Sequence, residues 1–253
     1  MRLNKFLAKA GVIARRKCEQ YIFSGMVYVN GKKIVNPSYK VDEKKDEVFL
    51  NNKRIVLKKK YRYIVLNKPK NCVTTLNDEK GRNKVIDYVN VKERLYPVGR
   101  LDIDTTGVLL LTNDGEIAYR LSHPKFEVKK EYIAVIDKRI SENIIEKIEK
   151  GVAIGKDEVV NGEIEIINNK SKGSEVKIII HCGRKRQIKR MFNVLGYKVL
   201  ELDRTSFAGI KKGSINPGEW RELSNEEIDS LKKVISSTNI CAVELQNSKG
   251  GII

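Results

Sequence analysis

Residues 99–115 read GRLDIDTTGVLLLTNDG, and within them an apolar run, Val108–Leu111, stands between two carboxylates, Asp102 and Asp104, and a tight-turn signal at Asn113-Asp114-Gly115. A run this short, entered by a β-branched residue and closed by a turn, reads as a strand. YIVLNKPKNCVTT reads the same way, with a buried strand around Ile64–Leu66 broken by Pro69. KKEYIAVI alternates with period two, which places Tyr132, Ala134 and Ile136 on one face. EVKIIIHCG supplies another strand, RKRQIKRMFNVLG an amphipathic helix closed by Gly196, and GEWRELSNEEIDSLKKVI a last strand and helix. Strands in runs with helices at irregular intervals predict an α+β domain on a mainly antiparallel, mixed sheet.

The beginning of the chain has a different character. Leu3, Phe6, Leu7 and Ala10 recur at helical spacing up to Gly11, and a second helix, RRKCEQYIFSG, follows. MVYVNGKKIV then places Asn30-Gly31 between two alternating runs, a strong hairpin signal, and DEVFLNNKRIV repeats the strand-turn-strand pattern. Residues 1–58 carry fourteen Lys and Arg against five Asp and Glu, so under a quarter of the 253-residue chain holds half of its +18 formal charge. Such a concentration points to a separate module that binds a polyanion, and nucleic acid is the expected partner. VLKKKYRY reads as the linker. The expected organisation is an N-terminal binding domain over 1–59, a second domain over 60–237 and a disordered tail over 238–253. No long apolar span, signal peptide or lipidation motif accompanies the basic charge, so a cytoplasmic protein with no membrane partner is expected. Cys18, Cys72, Cys182 and Cys241 lie far apart without a C-x-x-C, and with only His123 and His181 beside them no metal site is expected.

The acid pair admits three readings. On an extended segment Arg100, Asp102 and Asp104 point the same way, and the guanidinium keeps Asp102 ionised even where it is partly buried. A pinned, ionised carboxylate is a competent nucleophile. Two carboxylates could instead hold Mg²⁺ for phosphodiester hydrolysis, although no third acid or histidine completes such a motif and Arg100 would compete. Asp-rich turns capping Thr105 and Thr106 are the third reading.

Two resemblances bear on the choice. The two helices and the Val-x-Val-Asn-Gly hairpin, with Arg15, Arg16 and Lys17 opening the second helix, resemble the small RNA-binding domain named after ribosomal protein S-four. Ala14 departs from it, standing where that domain usually has a serine cap. YPVGRLDIDTTGVLLLTNDGE is similar to the signature of the RsuA/RluB family of ribosomal RNA pseudouridine synthases. The family's further segments follow in order: YIVLNKPKNCVTT ahead of it, then KKEYIAVI, GRKRQIKRMFNVLGYKV, LDRTSFAGI and PGEWRELSNEE.

The resemblance implies isomerisation of a uridine in ribosomal RNA to pseudouridine, without cofactor. It assigns Asp102 as nucleophile, Tyr132 as the tyrosine that stacks on the uracil, and Lys189 as the basic partner of the aspartate, with Arg190 in reserve. Arg100 is expected to displace the target nucleotide or hold the aspartate loop. On the helix carrying Ile188, Met191, Phe192 and Leu195 as its apolar stripe, Arg186 and Arg190 are expected to face RNA, and Lys68, Lys80 and Arg82 to meet phosphates. Cys182 stands where relatives often have glutamate. The large-subunit branch is favoured over a small-subunit, RsuA-like enzyme, and the protein is expected to act as a monomer on free RNA or a pre-ribosomal particle. A ribosome-binding assembly factor without catalysis, using the same fold as a clamp, is the alternative.

Overall fold

The computed structural model describes residues 1–12, 14–57, 60–170 and 173–247, with side chains to 236. The chain divides into two compact units. The first comprises Met1–Arg62 with Val91–Leu95 and Asn113–Gly115, and the second the remainder.

In the first unit, helices α1 (Leu3–Lys9) and α2 (Arg15–Phe23) precede strands β1 (Val27–Val29), β2 (Lys32–Lys33), β3 (Val48–Leu50) and β4 (Lys53–Ile55), which pair in the order β2-β1-β3-β4. Asn30 and Gly31 both take positive φ, at 50° and 74°, and Asn51 and Asn52 repeat that geometry at 48° and 62°. These are the turns whose twist matches a two-residue hairpin, and Asn tolerates the left-handed region best among residues with a side chain. Leu3, Phe6, Leu7, Cys18 and Ile22 close one small core with Val27, Val29 and Val48. Ala14 occupies the N-cap of α2 and offers no side-chain cap. Arg15, Arg16 and Lys17 are exposed on its first turn. Residues 58 and 59, at the expected domain boundary, lie outside the described residues.

The second unit opens with β5 (Tyr63–Lys68), β6 (Tyr96–Pro97) and β7 (Thr106–Thr112), followed by helix α3 (Gly115–Ser122), β8 (Lys130–Ile136) and α4 (Glu142–Lys150). Strands β9 (Val152–Gly155) and β10 (Glu158–Val160) form a separate ribbon. Then come β11 (Glu163–Lys170), β12 (Gly173–Ile180), α5 (Gln187–Val194), β13 (Val199–Phe207), β14 (Ile210–Lys211), β15 (Trp220–Glu222) and α6 (Asn225–Asn247). The main sheet runs β11-β12-β8-β13-β7-β5-β15, with β14 on β13 and β6 on β7. Every neighbour is antiparallel except β13 with β7. This is the mixed, mainly antiparallel α+β sheet that the strand pattern implies.

Strand β5 is buried along its whole length and β7 along all but its first residue, whereas β8 buries Tyr132, Ala134 and Ile136 in alternation. Residues 63–66 of β5 and the run 108–111 are therefore apolar on both faces, and β8 on one. Helix α5 begins at Gln187, later than the sequence pattern implies, because Arg186 turns left-handed with φ 52°. The Gln187 side chain accepts the Arg184 amide at 3.0 Å, which occupies one donor of the segment entering the helix. Helix α6 continues through residues 238–247, part of the segment read as tail, whereas 248–253 lie outside the described residues.

The parallel pair is short, Asp203 with Thr106 and Arg204 with Gly107. Gly107 has φ 99°, and a Cβ there would fall on the Arg204 carbonyl oxygen and 2.8 Å from its amide nitrogen. Because the obstacle is backbone, no rotamer change relieves it. Gly107→Ala is expected to destabilise the protein by about 3 kcal/mol through overpacking and backbone strain, measured as a fall in the denaturant midpoint.

Candidate active site

The sheet supplies the floor of an open cavity of about 630 Å³. Lys130 and Tyr132 come from β8, Ile180 from the end of β12, and Leu202, Arg204 and Phe207 from β13. Tyr132 and Arg204 are register partners, so their side chains share one sheet face. The loop Gly99–Asp102 forms one wall, and Gly183–Lys189 at the start of α5 forms another.

Around the acid pair the backbone turns. The Thr105 amide donates to the Asp102 carbonyl at 3.1 Å, closing a four-residue turn. This corrects the expectation of an extended segment: the two carboxylates do not share a face. Asp102 lines the cavity. Asp104 instead receives Lys189, whose Nζ lies 2.6 Å from Oδ2, with Arg186 4.0 Å from Oδ1. Burial opposes ionisation of Asp104, yet the Lys189 ammonium and Arg186 hold its pKa below the ordinary carboxylate value. Among the described residues Asp102 has no ion-pair partner.

Lys189 was expected to pair with Asp102, with Arg190 in reserve, and neither does so. Arg190 reaches the Ile154 carbonyl at 2.5 Å and Glu158 at 2.6 Å, and it does not line the cavity. Glu158 also holds Arg184 at 3.4 Å, so the ribbon β9-β10 braces the start of α5. Arg100 and Arg186 line the cavity.

Lys68 requires a correction. It is fully buried, and its Nζ donates to the carbonyls of Pro69 at 3.0 Å, Ile103 at 3.3 Å and Thr105 at 2.8 Å. No surface remains for a phosphate. Its ammonium pins the acid turn from beneath, and burial lowers its pKa to about 8 against the pull of Cys72, Asp104 and Asp102. Arg82 sits on an outer loop in a two-point contact with Asp78, at 2.6 and 3.2 Å. Lys80 is exposed on the same loop.

Two cavity residues escaped the sequence reading. Lys130, two positions before Tyr132 and so on its face, donates to the carbonyls of Val128 at 2.7 Å and His181 at 3.0 Å. Burial and then the nearby Arg204 lower its pKa to about 8. Arg204 is 2% exposed, with its Nε on the Val108 carbonyl at 2.7 Å and its guanidinium 4.6 Å from the Phe207 ring centroid. Its Nη2 is buried without a protein partner. Period-two alternation from Leu202 would have exposed it as an inward-facing charge. Among the described residues no cluster of three or more His, Cys, Asp or Glu is placed to hold a metal ion.

Comparisons with known proteins show which families the two parts of the chain resemble. A family model described as RNA pseudouridylate synthase matches residues 62–194, and an S4 domain model matches residues 1–48. An uncharacterized RNA pseudouridine synthase of Aquifex aeolicus is 37% identical over 93% of this chain and 95% of its own. The ribosomal large subunit pseudouridine synthase B of Bacillus subtilis is also 37% identical, over 91% of this chain and 95% of its own. A crystal structure of a pseudouridylate synthase superposes with a TM-score of 0.67 at 29% identity, covering 91% of this chain and 99% of that one.

The buried lysine gives a test in pH. Its ordinary pKa is 10.5, so between about pH 8 and 10.5 the native state has released a proton that the unfolded chain still binds. Stability must then rise with pH. Denaturant titrations of wild type and Lys68→Met across this window are expected to show the difference between them moving in favour of wild type as pH rises.

Proposed function

The chain belongs to the RNA pseudouridylate synthase family, and from that premise we propose that it converts a uridine of large-subunit ribosomal RNA to pseudouridine, with Asp102 as nucleophile. In this reaction the bond from the ribose C1′ to uracil N1 breaks and one from C1′ to C5 forms. The C5 proton leaves and N1 takes one up, so no electrons enter or leave. The enzyme must therefore open a glycosidic bond while retaining both halves.

What carries the reading is the convergence of Asp102, Tyr132 and Lys189 on one cavity. A carboxylate that no cation neutralises by contact keeps its lone pairs for an electron-poor carbon, as the nucleophile of a retaining glycosidase does. Lys189 lines the same cavity, and the buried Lys68 holds the carbonyls of the turn that carries the carboxylate. Tyr132, 7% exposed on the floor, offers a ring on which the turned base stacks. A structured uridine must first leave its stack, at a cost of a few kcal/mol, and Arg100 and Arg186 at the walls offset this through the RNA backbone. The N-terminal domain, assigned to residues 1–59, supplies phosphate contacts from Arg15, Arg16 and Lys17, and the catalytic domain begins near residue 60. The protein acts as a monomer in the cytoplasm, where its RNA is made and assembled. Likeness to the Bacillus enzyme supports the large-subunit target.

Tritium release from carbon-5-labelled, unmodified ribosomal RNA tests the reaction. Wild type is expected to release it with EDTA present, and Asp102→Ala to lose more than about a thousandfold in rate. Absence of release from both subunits' RNA, free or in particles, would overturn the reading. Replacing Arg15, Arg16 and Lys17 by alanine is expected to weaken RNA binding and to flatten its dependence on log salt by up to about three, because fewer counterions are released.

A further inference from the structure

Beyond the cavity, one exposed cluster of the catalytic unit has no place in the reaction as derived. At the end of α3 the Tyr119 ring lies 5.1 Å from His123 and 5.9 Å, edge-on, from Phe126, measured between centroids. Lys125 Nζ stands 4.7 Å from the Phe126 centroid and 5.7 Å from that of Tyr119. Phe126 is 5% exposed and anchors the group, whereas Tyr119 is 47% exposed. Among the described residues of this unit, Tyr119 is the one aromatic side chain of the exposed class.

Hydrogen bonds brace the backbone that carries the cluster. Ser122 Oγ donates to the Ala118 carbonyl at 2.6 Å, and His123 caps a short 3-10 turn, Pro124–Phe126, by accepting the Lys125 amide on Nδ1. Proline at the first position of that turn fixes φ and so limits the backbone freedom of the segment that carries Lys125 and Phe126. The cluster also adjoins the cavity. Ser122, between Tyr119 and His123 in sequence, lines it beside the Gly99–Asp102 wall, since a Cβ on Gly99 would lie 4.0 Å from the Ser122 Cβ.

We infer that Tyr119, with His123 and Lys125, is a stacking platform for an unpaired nucleotide next to the target uridine. This rests on the substrate being RNA. A flipped uridine draws its flanking nucleotides out of the helix, and their exposed bases need new surfaces. A half-exposed ring with a lysine beside it suits a base linked to a phosphate, since the ring accepts any base face and the ammonium meets the charge. The contact is sequence-tolerant, so it adds affinity at the cavity mouth without selecting the target.

Equilibrium binding of an unmodified large-subunit ribosomal RNA transcript, measured over a salt series, tests the inference. Tyr119→Leu keeps the apolar contact with Phe126 and removes the ring, and Tyr119→Ala removes both. Each is expected to weaken binding about tenfold with no change in the salt slope, because stacking releases no counterions, and to raise KM with kcat unchanged. Tyr119→Trp is expected to restore wild-type affinity, and Lys125→Ala to lower the slope by about one. Wild-type affinity in Tyr119→Leu, or a loss that tryptophan does not restore, would overturn the platform. Binding needs no turnover. A protein that binds with this pattern yet releases no tritium would overturn the reaction and keep the platform, and the converse pattern would do the reverse.

Discussion

The parallel contact between β7 and β13 fixes the distances on which the cavity depends. Strand β7 leads directly out of the acid turn, and β13 carries Leu202, Arg204 and Phe207 across the floor. Only glycine at 107 lets the two backbones approach closely enough for Arg204 to reach the Val108 carbonyl. The Asp203 carboxylate reinforces the junction by accepting Thr106 Oγ1 at 2.6 Å and Lys212 at 2.8 Å. Asp102 thus stands five residues from Gly107, the tightest point of the sheet, where its position relative to Tyr132 is set by covalent geometry and strand register.

A buried ammonium beneath a turn is costly unless its donors are satisfied. Lys68 meets the requirement with three carbonyls, two of them from the acid turn itself. The turn and the lysine therefore stabilise one another: without the ammonium, the Ile103 and Thr105 carbonyls lose a donor, and without the turn, the charge is stranded. The arrangement also places a positive centre on the side of the carboxylates away from the cavity. Tight, mutually supporting contacts of this kind hold reacting groups to the tolerance that chemistry demands.

Much of this was legible in the sequence, for identifiable reasons. The Asn-Gly hairpin, the alternating face of β8 and the doubly apolar run at 108–111 each follow from backbone geometry acting over a few residues. The meeting of Asp102, Tyr132, Lys189, Arg100 and Arg186 on one cavity follows from the ordered motifs. Side-chain partners depend on long-range packing, and there the sequence was silent. Lys68 ends a strand that reads as buried, but two of its three acceptors come from the turn 35 to 37 residues later. Lys189 has two acids within reach of its motif, and the turn at 102–105 decides between them. Arg204 lies in a segment whose period-two pattern marks it as inward-facing, yet what makes its burial tolerable is a carbonyl on another strand.

The choice of Asp104 over Asp102 has a chemical consequence. A 2.6 Å contact with an ammonium lowers the energy of a carboxylate's lone pairs and makes it a poorer nucleophile. Were both acids held in that way, the attack proposed for Asp102 would be weakened. The turn divides the work. Asp104 satisfies Lys189, which is only 12% exposed and would otherwise seek the nearest anion, while Asp102 lines the cavity without an ion-pair partner among the described residues. In a chain with a net charge of +18, cations are plentiful at an RNA site and an uncommitted carboxylate is the scarce element. A second aspartate two residues on is the simplest means of keeping the first one free.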